Sequence, residues 1–259
     1  MLLKDCIDQP FNDRTIDASQ IARFEALADE WWNPNGKFRV MHGFNTARLG
    51  YIEALIAGKF KRDLKSDTAL RGVSILDIGC GGGLVSEPLA SKGAEMVGVD
   101  ASSRNVEIAR RHAQQSSVIV DYRHGTAETA ILSGELFDVV LNFEVIEHVA
   151  DPKKLITDFS ARLKPGGMLI IATLNRTLRA LILAIIGAEY VLRWLPISTH
   201  DWRRFLKPHE IETMLFSEGL RFDAVAGVSL NPLNRKWKIT SNPSVNYVLV
   251  AVKLTPSSG

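Results

Sequence analysis

The sequence is poor in cysteine, and this scarcity argues against two kinds of protein. Cys6 and Cys80 are the only cysteines among 259 residues, and they lie far apart in unlike surroundings. Disulfide frameworks and structural zinc clusters need several closely spaced bridging or ligand residues. The sequence therefore predicts neither, and its cysteine usage suits a reducing cytosol.

Long apolar runs and an excess of charge are also missing. The most apolar window, 178–196, is interrupted by Arg179, Glu189 and Arg193, whereas a spanning helix needs about 20 apolar residues. The N-terminus lacks the apolar core of a secretory signal, so we expect no export. With 31 Lys and Arg against 29 Asp and Glu, the net charge of +2 gives no reason to expect a nucleic-acid partner.

Short apolar runs alternate with amphipathic segments from Val73 onward, a pattern that predicts repeated strand–helix units. The runs are continuously apolar, which favours a parallel sheet covered by helices on both faces. The predicted strands are Val73–Ile78, Ala94–Val99, Val118–Tyr122, Phe137–Phe143, Met168–Thr173, Leu220–Val228 and Val245–Lys253. The predicted helices are Asp17–Trp32, Val85–Lys92, Arg104–Gln115, Asp151–Leu163 and Pro208–Glu218. We expect one domain over 1–259, with an N-terminal helical extension (17–60), a core (73–173), an insertion (176–206) and a C-terminal segment (207–253).

The sharpest motif, Asp77-Ile78-Gly79-Cys80-Gly81-Gly82-Gly83, follows the first predicted strand. Glycines let the backbone turn tightly, and in open α/β sheets nucleotide-type cofactors bind at this turn. Asp100 ends the next predicted strand, where a carboxylate can accept both hydroxyls of an adenosine ribose. The glycine spacing departs from the Gly-x-Gly-x-x-Gly of dinucleotide sites. It therefore disfavours an NAD-dependent oxidoreductase, which is the alternative from another enzyme class.

This motif with Asp100 resembles the S-adenosylmethionine (SAM) site of class I methyltransferases. Phe137-Asp138-Val139-Val140 and Leu163-Lys164-Pro165-Gly166-Gly167 resemble the fourth strand of that family and the turn before its fifth. The resemblance implies a Rossmann-like α/β fold whose seven-stranded sheet is mostly parallel, with Val245–Lys253 as an antiparallel last strand. One departure is Thr126, which stands where many members carry an acid for the adenine amine. The resemblance implies cofactor contacts from Asp77, Gly79, Gly81, Asp100 and Phe143.

A narrower resemblance extends over about residues 22–252. His42-Gly43-Phe44-Asn45-Thr46-Ala47-Arg48, Glu144-Val145-Ile146-Glu147-His148-Val149 and Thr173-Leu174-Asn175-Arg176 are similar to segments of the ubiquinone-biosynthesis O-methyltransferases. These enzymes methylate hydroxyls of polyprenylated catechols, so the resemblance implies a polyprenylated quinone precursor as substrate. It also implies that Arg48 contacts SAM, which suits a charge-assisted bond to the methionine carboxylate. The alternatives are another lipid-like or small aromatic acceptor, and a non-catalytic SAM-binding protein.

Three ionisable residues, Glu144, Glu147 and His148, follow the fourth predicted strand. In a helical turn they share one face, beside the expected cofactor. A catechol hydroxyl, with a pKa of about 10, needs a base or a metal ion to remove its proton. His148 or Glu144 can be that base, or all three can hold a divalent cation, for which the resemblance favours Mg²⁺. The alternative is a purely structural role, in which these three residues cap a helix before Asp151 or form salt bridges in it.

The apolar window 178–196 lies in the insertion after the fifth predicted strand. It combines aliphatic residues with aromatic and basic ones, a pattern typical of helices at a membrane surface. An ordinary buried helix is the alternative. The sequence thus predicts a cytoplasmic enzyme with peripheral lipid contact. A further prediction is that the enzyme joins a multienzyme complex for quinone synthesis.

Overall fold

The computed structural model describes residues 21–22, 25–36, 38–183, 185, 201–231 and 236–255. Within these ranges, eight strands form one sheet in the order β3-β2-β1-β4-β5-β8-β6-β7. The strands are β1 (Ser74–Ile78), β2 (Glu95–Asp100), β3 (Asp121–His124), β4 (Phe137–Phe143), β5 (Leu163–Leu174), β6 (Leu220–Leu230), β7 (Trp237–Thr240) and β8 (Asn246–Lys253). Strands β1 to β5 are parallel, and β8 runs antiparallel between β5 and β6. The predicted α/β sheet with an antiparallel last strand is confirmed.

Within the described ranges, five helices of six or more residues accompany the strands. They are α1 (Arg39–Lys59), α2 (Ser86–Ser91), α3 (Ser103–Gln115), α4 (Pro152–Arg162) and α5 (Pro208–Ser217), and short helical turns occur at Ala28–Glu30, Leu178–Ala180 and Trp202–Arg204. The Ser102 hydroxyl caps α3 by accepting from the Asn105 amide at 3.1 Å. The Asp151 carboxylate caps α4 in the same way, with Pro152 in the first turn. These side chains satisfy amide groups that have no partner within the helix.

Helices cover both faces of the sheet. Leu155 and Phe159 of α4 and Ile211 of α5 pack on the face that carries Leu76 and Val140. The other face, which carries residues such as Ile75 and Leu141, is covered by α1 and α2. Burial on both faces explains why the strands are continuously apolar.

An eighth strand was not expected. The predicted sheet had seven strands, whereas β7 pairs antiparallel with the end of β6. Trp237 packs this short strand against α1, since its ring centre lies 5.1 Å from that of Phe44. A four-residue strand carries too little periodicity to be recognised in sequence.

Two predicted strand starts were wrong by three or more residues. Strand β3 begins at Asp121 instead of Val118, because the chain turns at Ser117 with a φ of 56° and Ile119 is left exposed. Strand β5 begins at Leu163 instead of Met168. The expected Lys-Pro-Gly-Gly turn is part of this strand, and the pairing of the strand with β4 is irregular there.

The two segments that flank the core are described in part. Of the predicted helix Asp17–Trp32, residues 17–20 and 23–24 lie outside the described residues, and Ala28–Glu30 is a 3₁₀ turn. Of the apolar window, 184 and 186–196 lie outside them. No helix in the described part of the chain is long and apolar enough to cross a membrane.

Candidate cofactor and active site

The glycine loop between β1 and α2 makes the tight turn that its sequence predicts. Gly79 and Gly81 have φ angles of 78° and 54°, a backbone conformation that favours glycine. A Cβ at Gly79 would lie 2.2 Å from Cγ2 of Val145, so the loop also approaches the segment after β4 too closely for a side chain. The loop therefore lies at the carboxyl ends of β1 and β4, where the strand order reverses.

Asp100 ends β2 beside this loop, and its carboxylate is held by three donors. Oδ2 accepts from the Gly81 amide at 2.9 Å, and Oδ1 accepts from the Ser102 amide at 2.9 Å and from Nδ2 of Asn105 at 3.2 Å. Burial raises the pKa of Asp100, and these hydrogen bonds oppose the shift. Because a carboxylate oxygen can accept two hydrogen bonds, Oδ2 retains capacity for another donor.

Asp77 lies within β1 and is buried. Its Oδ2 accepts a hydrogen bond from the Ser86 hydroxyl at 2.6 Å, which ties the strand to the start of α2. Burial raises the pKa of Asp77 to about 6, against the opposing effects of the Ser86 bond and the Arg48 charge. Asp77 thus supports the loop from β1.

Arg48 projects from α1 and is almost completely buried, with 1% of its side chain exposed. Its Nη1 donates to Oε1 of Glu144 at 2.7 Å, and its Nη2 donates to Oδ1 of Asn45. The guanidinium carbon lies 4.2 Å from the ring centre of Phe44 and 4.8 Å from that of Phe143. Burial lowers the pKa of Arg48, and the Glu144 carboxylate counteracts this.

Within the described part of the chain, Nε of Arg48 has no hydrogen-bond partner. A buried guanidinium N–H without an acceptor costs free energy. It can be satisfied by an acceptor that binds from outside.

The segment after β4 begins with backbone strain. Glu144 has a φ of 55°, which is uncommon for a residue other than glycine, and its amide donates to the Ala172 carbonyl at 2.8 Å. The turn that follows is closed by the His148 amide, which donates to the Val145 carbonyl at 2.8 Å. Strain of this kind occurs where the surrounding structure imposes it, and often at functional sites.

Glu147 and His148 differ in their surroundings. Glu147 is 2% exposed, and neither of its carboxylate oxygens has a hydrogen-bond partner among the described residues. Burial and the nearby Glu144 charge raise the pKa of Glu147 well above its usual range. His148 is half-buried. Within the described ranges, no three or more His, Cys, Asp or Glu side chains are grouped so that they could hold a metal ion. The three predicted ligands Glu144, Glu147 and His148 are therefore not gathered into a metal site.

Two site residues were not singled out from the sequence. Asn45 and Asn105 each bond a predicted charged residue, Arg48 and Asp100 respectively. The contact of Asn45 could have been found from the sequence, because Asn45 lies three positions before Arg48 and residues at this spacing are neighbours on a helix. Asn105 carries no such signal.

The fold and the site define a class I methyltransferase. Residues 76–171 match the model of a methyltransferase domain family. A SAM-dependent methyltransferase of Thermotoga maritima, described as a possible histamine N-methyltransferase, has the same fold, with a TM-score of 0.61 and 22% identity over 90% of this chain and 99% of that one. Magnesium protoporphyrin IX methyltransferase of Synechocystis, with bound S-adenosylhomocysteine, gives a TM-score of 0.59 and 20% identity over 88% and 98%.

Proteins of much higher identity define the family more narrowly. The ubiquinone biosynthesis O-methyltransferase of Dinoroseobacter shibae is 50% identical over 93% of this chain and 98% of its own length. The protein of that name from Chelativorans is 53% identical over 93% and 95%. The chain belongs to the family of ubiquinone biosynthesis O-methyltransferases.

Proposed function

We propose that this protein transfers the methyl group of SAM to a hydroxyl oxygen of a polyprenylated catechol or phenol in ubiquinone biosynthesis. The main observation behind the proposal is that two residues of opposite charge, Arg48 and Asp100, lie near the carboxyl edge of the sheet. Arg48 lies between two aromatic rings, and Asp100 closes β2 beside the glycine loop. Relatives of about 50% identity that carry the name of this activity support it.

The described residues fit SAM. The Nε of Arg48 is a buried donor without an acceptor, which suits the methionine carboxylate. Asp100 Oδ2 retains accepting capacity for a ribose hydroxyl. Gly79 and Gly81 adopt the positive φ angles that the tight turn beside Asp100 requires. When bound, SAM supplies an activated methyl group on a sulfonium sulfur.

We assign the role of general base to His148. Glu144 is engaged with Arg48 at 2.7 Å, and a carboxylate that neutralises a buried cation is poorly available to accept a proton. His148 lies four positions further along, in the hydrogen-bonded turn after β4, and an imidazole can accept a proton. Its ring would take the proton from the acceptor hydroxyl as the oxygen bonds to the methyl carbon and the carbon–sulfur bond breaks. Glu144 then serves to orient Arg48.

A divalent cation remains a prediction with a weaker structural basis. Glu147 offers two buried oxygens without partners, but the three predicted ligands do not form a group that could hold an ion. We derive no step through a metal. The contact of the insertion with lipid, a cytoplasmic location at the membrane surface and a multienzyme complex likewise remain proposals. The proposed lipid contact is supported by the interfacial pattern in 178–196 and by the exposed Leu178, Ile182 and Leu183.

Single-turnover assays with a demethylated quinol and methyl-labelled SAM test the proposal. We expect labelled ether product from the wild type, and a loss of about 10²- to 10⁴-fold in rate in His148→Ala with SAM affinity kept. Cofactor binding without any product would favour the non-catalytic alternative. If Glu144→Gln abolishes turnover while His148→Ala keeps it, Glu144 is the base. If chelation with EDTA abolishes turnover and Mg²⁺ restores it, the cation is required.

A further inference from the structure

An N-terminal segment, residues 25–36, packs against the glycine loop. The indole of Trp31 spans two residues of this loop: a Cβ at Gly82 would lie 2.5 Å from Cγ of Trp31, and one at Gly81 would lie 2.7 Å from its Cζ2. The neighbouring Trp32 donates from Nε1 to the Gly82 carbonyl at 2.8 Å. The loop is thus covered by side chains that lie about 50 residues earlier in the chain.

A chain of hydrogen bonds leads from this segment to Asp100. Nε1 of Trp31 donates to Oδ1 of Asn105 at 2.9 Å, and Nδ2 of Asn105 donates to Oδ1 of Asp100 at 3.2 Å. Trp31 and Asn105 are buried, with 8% and 2% exposed. A tryptophan N–H can only donate, so it must face the amide oxygen of Asn105. This fixes the amide with its NH₂ group directed at Asp100.

The same segment makes two further contacts with the start of α3. The Ser102 hydroxyl donates to Oε1 of Glu25 at 2.9 Å, and the amide of Ser102 donates to Asp100. Arg104 forms an ion pair with Asp29. Contacts from the segment therefore reach Oδ1 of Asp100 through two residues, Asn105 and Ser102.

From this geometry we infer that Trp31 and Asn105 are positioning residues for Asp100, and that recognition of the cofactor ribose depends on residues 25–36. The inference rests on the proposed function, in which Asp100 accepts from the ribose. A carboxylate held by fixed donors loses little freedom on binding, which favours affinity. Without the Trp31 N–H, the Asn105 amide loses the bond that fixes its oxygen, so its Nδ2 is held against Asp100 less firmly.

Calorimetry with two ligands tests the inference: S-adenosylhomocysteine and its analogue that lacks both ribose hydroxyls. Trp31→Phe keeps the aromatic surface and removes only the N–H donor, and Asn105→Ala removes the next group in the chain. We expect each variant to bind S-adenosylhomocysteine about fivefold more weakly, the value of one hydrogen bond. Affinity for the analogue should not change, and the double variant should be no weaker than Asn105→Ala alone.

Trp202→Phe is the matched control, because it removes an indole donor that bonds the Thr177 carbonyl at 3.0 Å instead. It should leave both affinities unchanged. Equal losses for the two ligands in Trp31→Phe and Asn105→Ala would mean that the segment is merely structural, and the inference would be wrong. Should Trp31→Phe fail to fold, which circular dichroism reports, Asn105→Ala alone decides, since alanine suits the first turn of α3.

Asp100→Asn separates this inference from the proposed function. If it weakens binding of S-adenosylhomocysteine but not of the analogue, Asp100 contacts the ribose. Unchanged selectivity in Trp31→Phe and Asn105→Ala would then overturn the positioning role alone. If Asp100→Asn lowers both affinities equally, the ribose assignment itself fails and the positioning role with it.

Discussion

Replacement of Arg48 by methionine should lower both the stability of the protein and its affinity for the cofactor. Methionine retains much of the apolar stem between Phe44 and Phe143 but removes the cation. The Glu144 carboxylate then loses the partner that lies 2.7 Å away. Loss of one partner of a buried ion pair costs about 3–5 kcal/mol. Because 16% of the Glu144 side chain is exposed, we expect the lower end, about 3 kcal/mol.

The variant Glu144→Gln provides the second arm of a double-mutant cycle. Glutamine can still accept from Arg48, but it leaves a cation that is 1% exposed without its counter-charge, so it should cost about 3–5 kcal/mol. The double variant Arg48→Met with Glu144→Gln leaves no unpaired charge. Its cost should fall below the sum of the single costs by about 1–2 kcal/mol.

Urea unfolding, followed by tryptophan fluorescence, measures these free energies, and calorimetry with S-adenosylhomocysteine measures the function. Arg48→Met should bind about 10- to 100-fold more weakly, as expected for the loss of a charge-assisted hydrogen bond. The double variant should lose less stability than the two single costs added together, and it should recover none of the affinity. Single costs that add within about 0.5 kcal/mol would refute the ion-pair argument. Recovery of affinity in the double variant would refute the contact of Arg48 with the cofactor.

Two other predictions concern the loop and its support. Gly79→Ala should cost about 1–3 kcal/mol more than Gly134→Ala in urea unfolding, since both have φ near 79° but only Gly79 faces Val145; equal costs would mean that the clash is relieved. Asp77, whose pKa rises to about 6 on folding, holds its proton more tightly in the folded state. The stability of the wild type relative to Asp77→Asn should therefore fall as pH rises from about 4 to 6, by at most about 3 kcal/mol, and stay level above that. A flat difference across this range would show that the Ser86 bond offsets the burial of Asp77.

Local chemistry made the cofactor loop predictable from the sequence. Gly79 and Gly81 adopt positive φ angles, and Asp100 lies beside the loop because parallel strands end at the same edge. Both features follow from short segments whose physical requirements are visible in the residues themselves. The alternation of strands and helices was predictable for the same reason, since burial on both faces leaves continuous apolar runs.

Contacts between distant segments could not be predicted in the same way. Arg48 and Glu144 are 96 residues apart, and the packing of α1 on the sheet brings them together. The left-handed backbone at Glu144 has no sequence signature, because the residue is not a glycine. Glu144 pairs with Arg48 and Glu147 is buried, and the spacing of the Glu-x-x-Glu-His segment reveals neither of these surroundings.

The N-terminal region joins the two ends of the proposed cofactor site. The Trp31 carbonyl lies 2.9 Å from Nε2 of His42, and the Trp31 ring stacks on Phe38 at 4.1 Å, so the segment over the loop is fixed to the helix that carries Arg48. Trp31 also reaches Asp100 through Asn105. The generic methyltransferase domain, residues 76–171, contains neither Trp31 nor Arg48. The domain therefore supplies Asp100, which we assign to the ribose, whereas Arg48 and Trp31, which we infer helps to position Asp100, precede the domain.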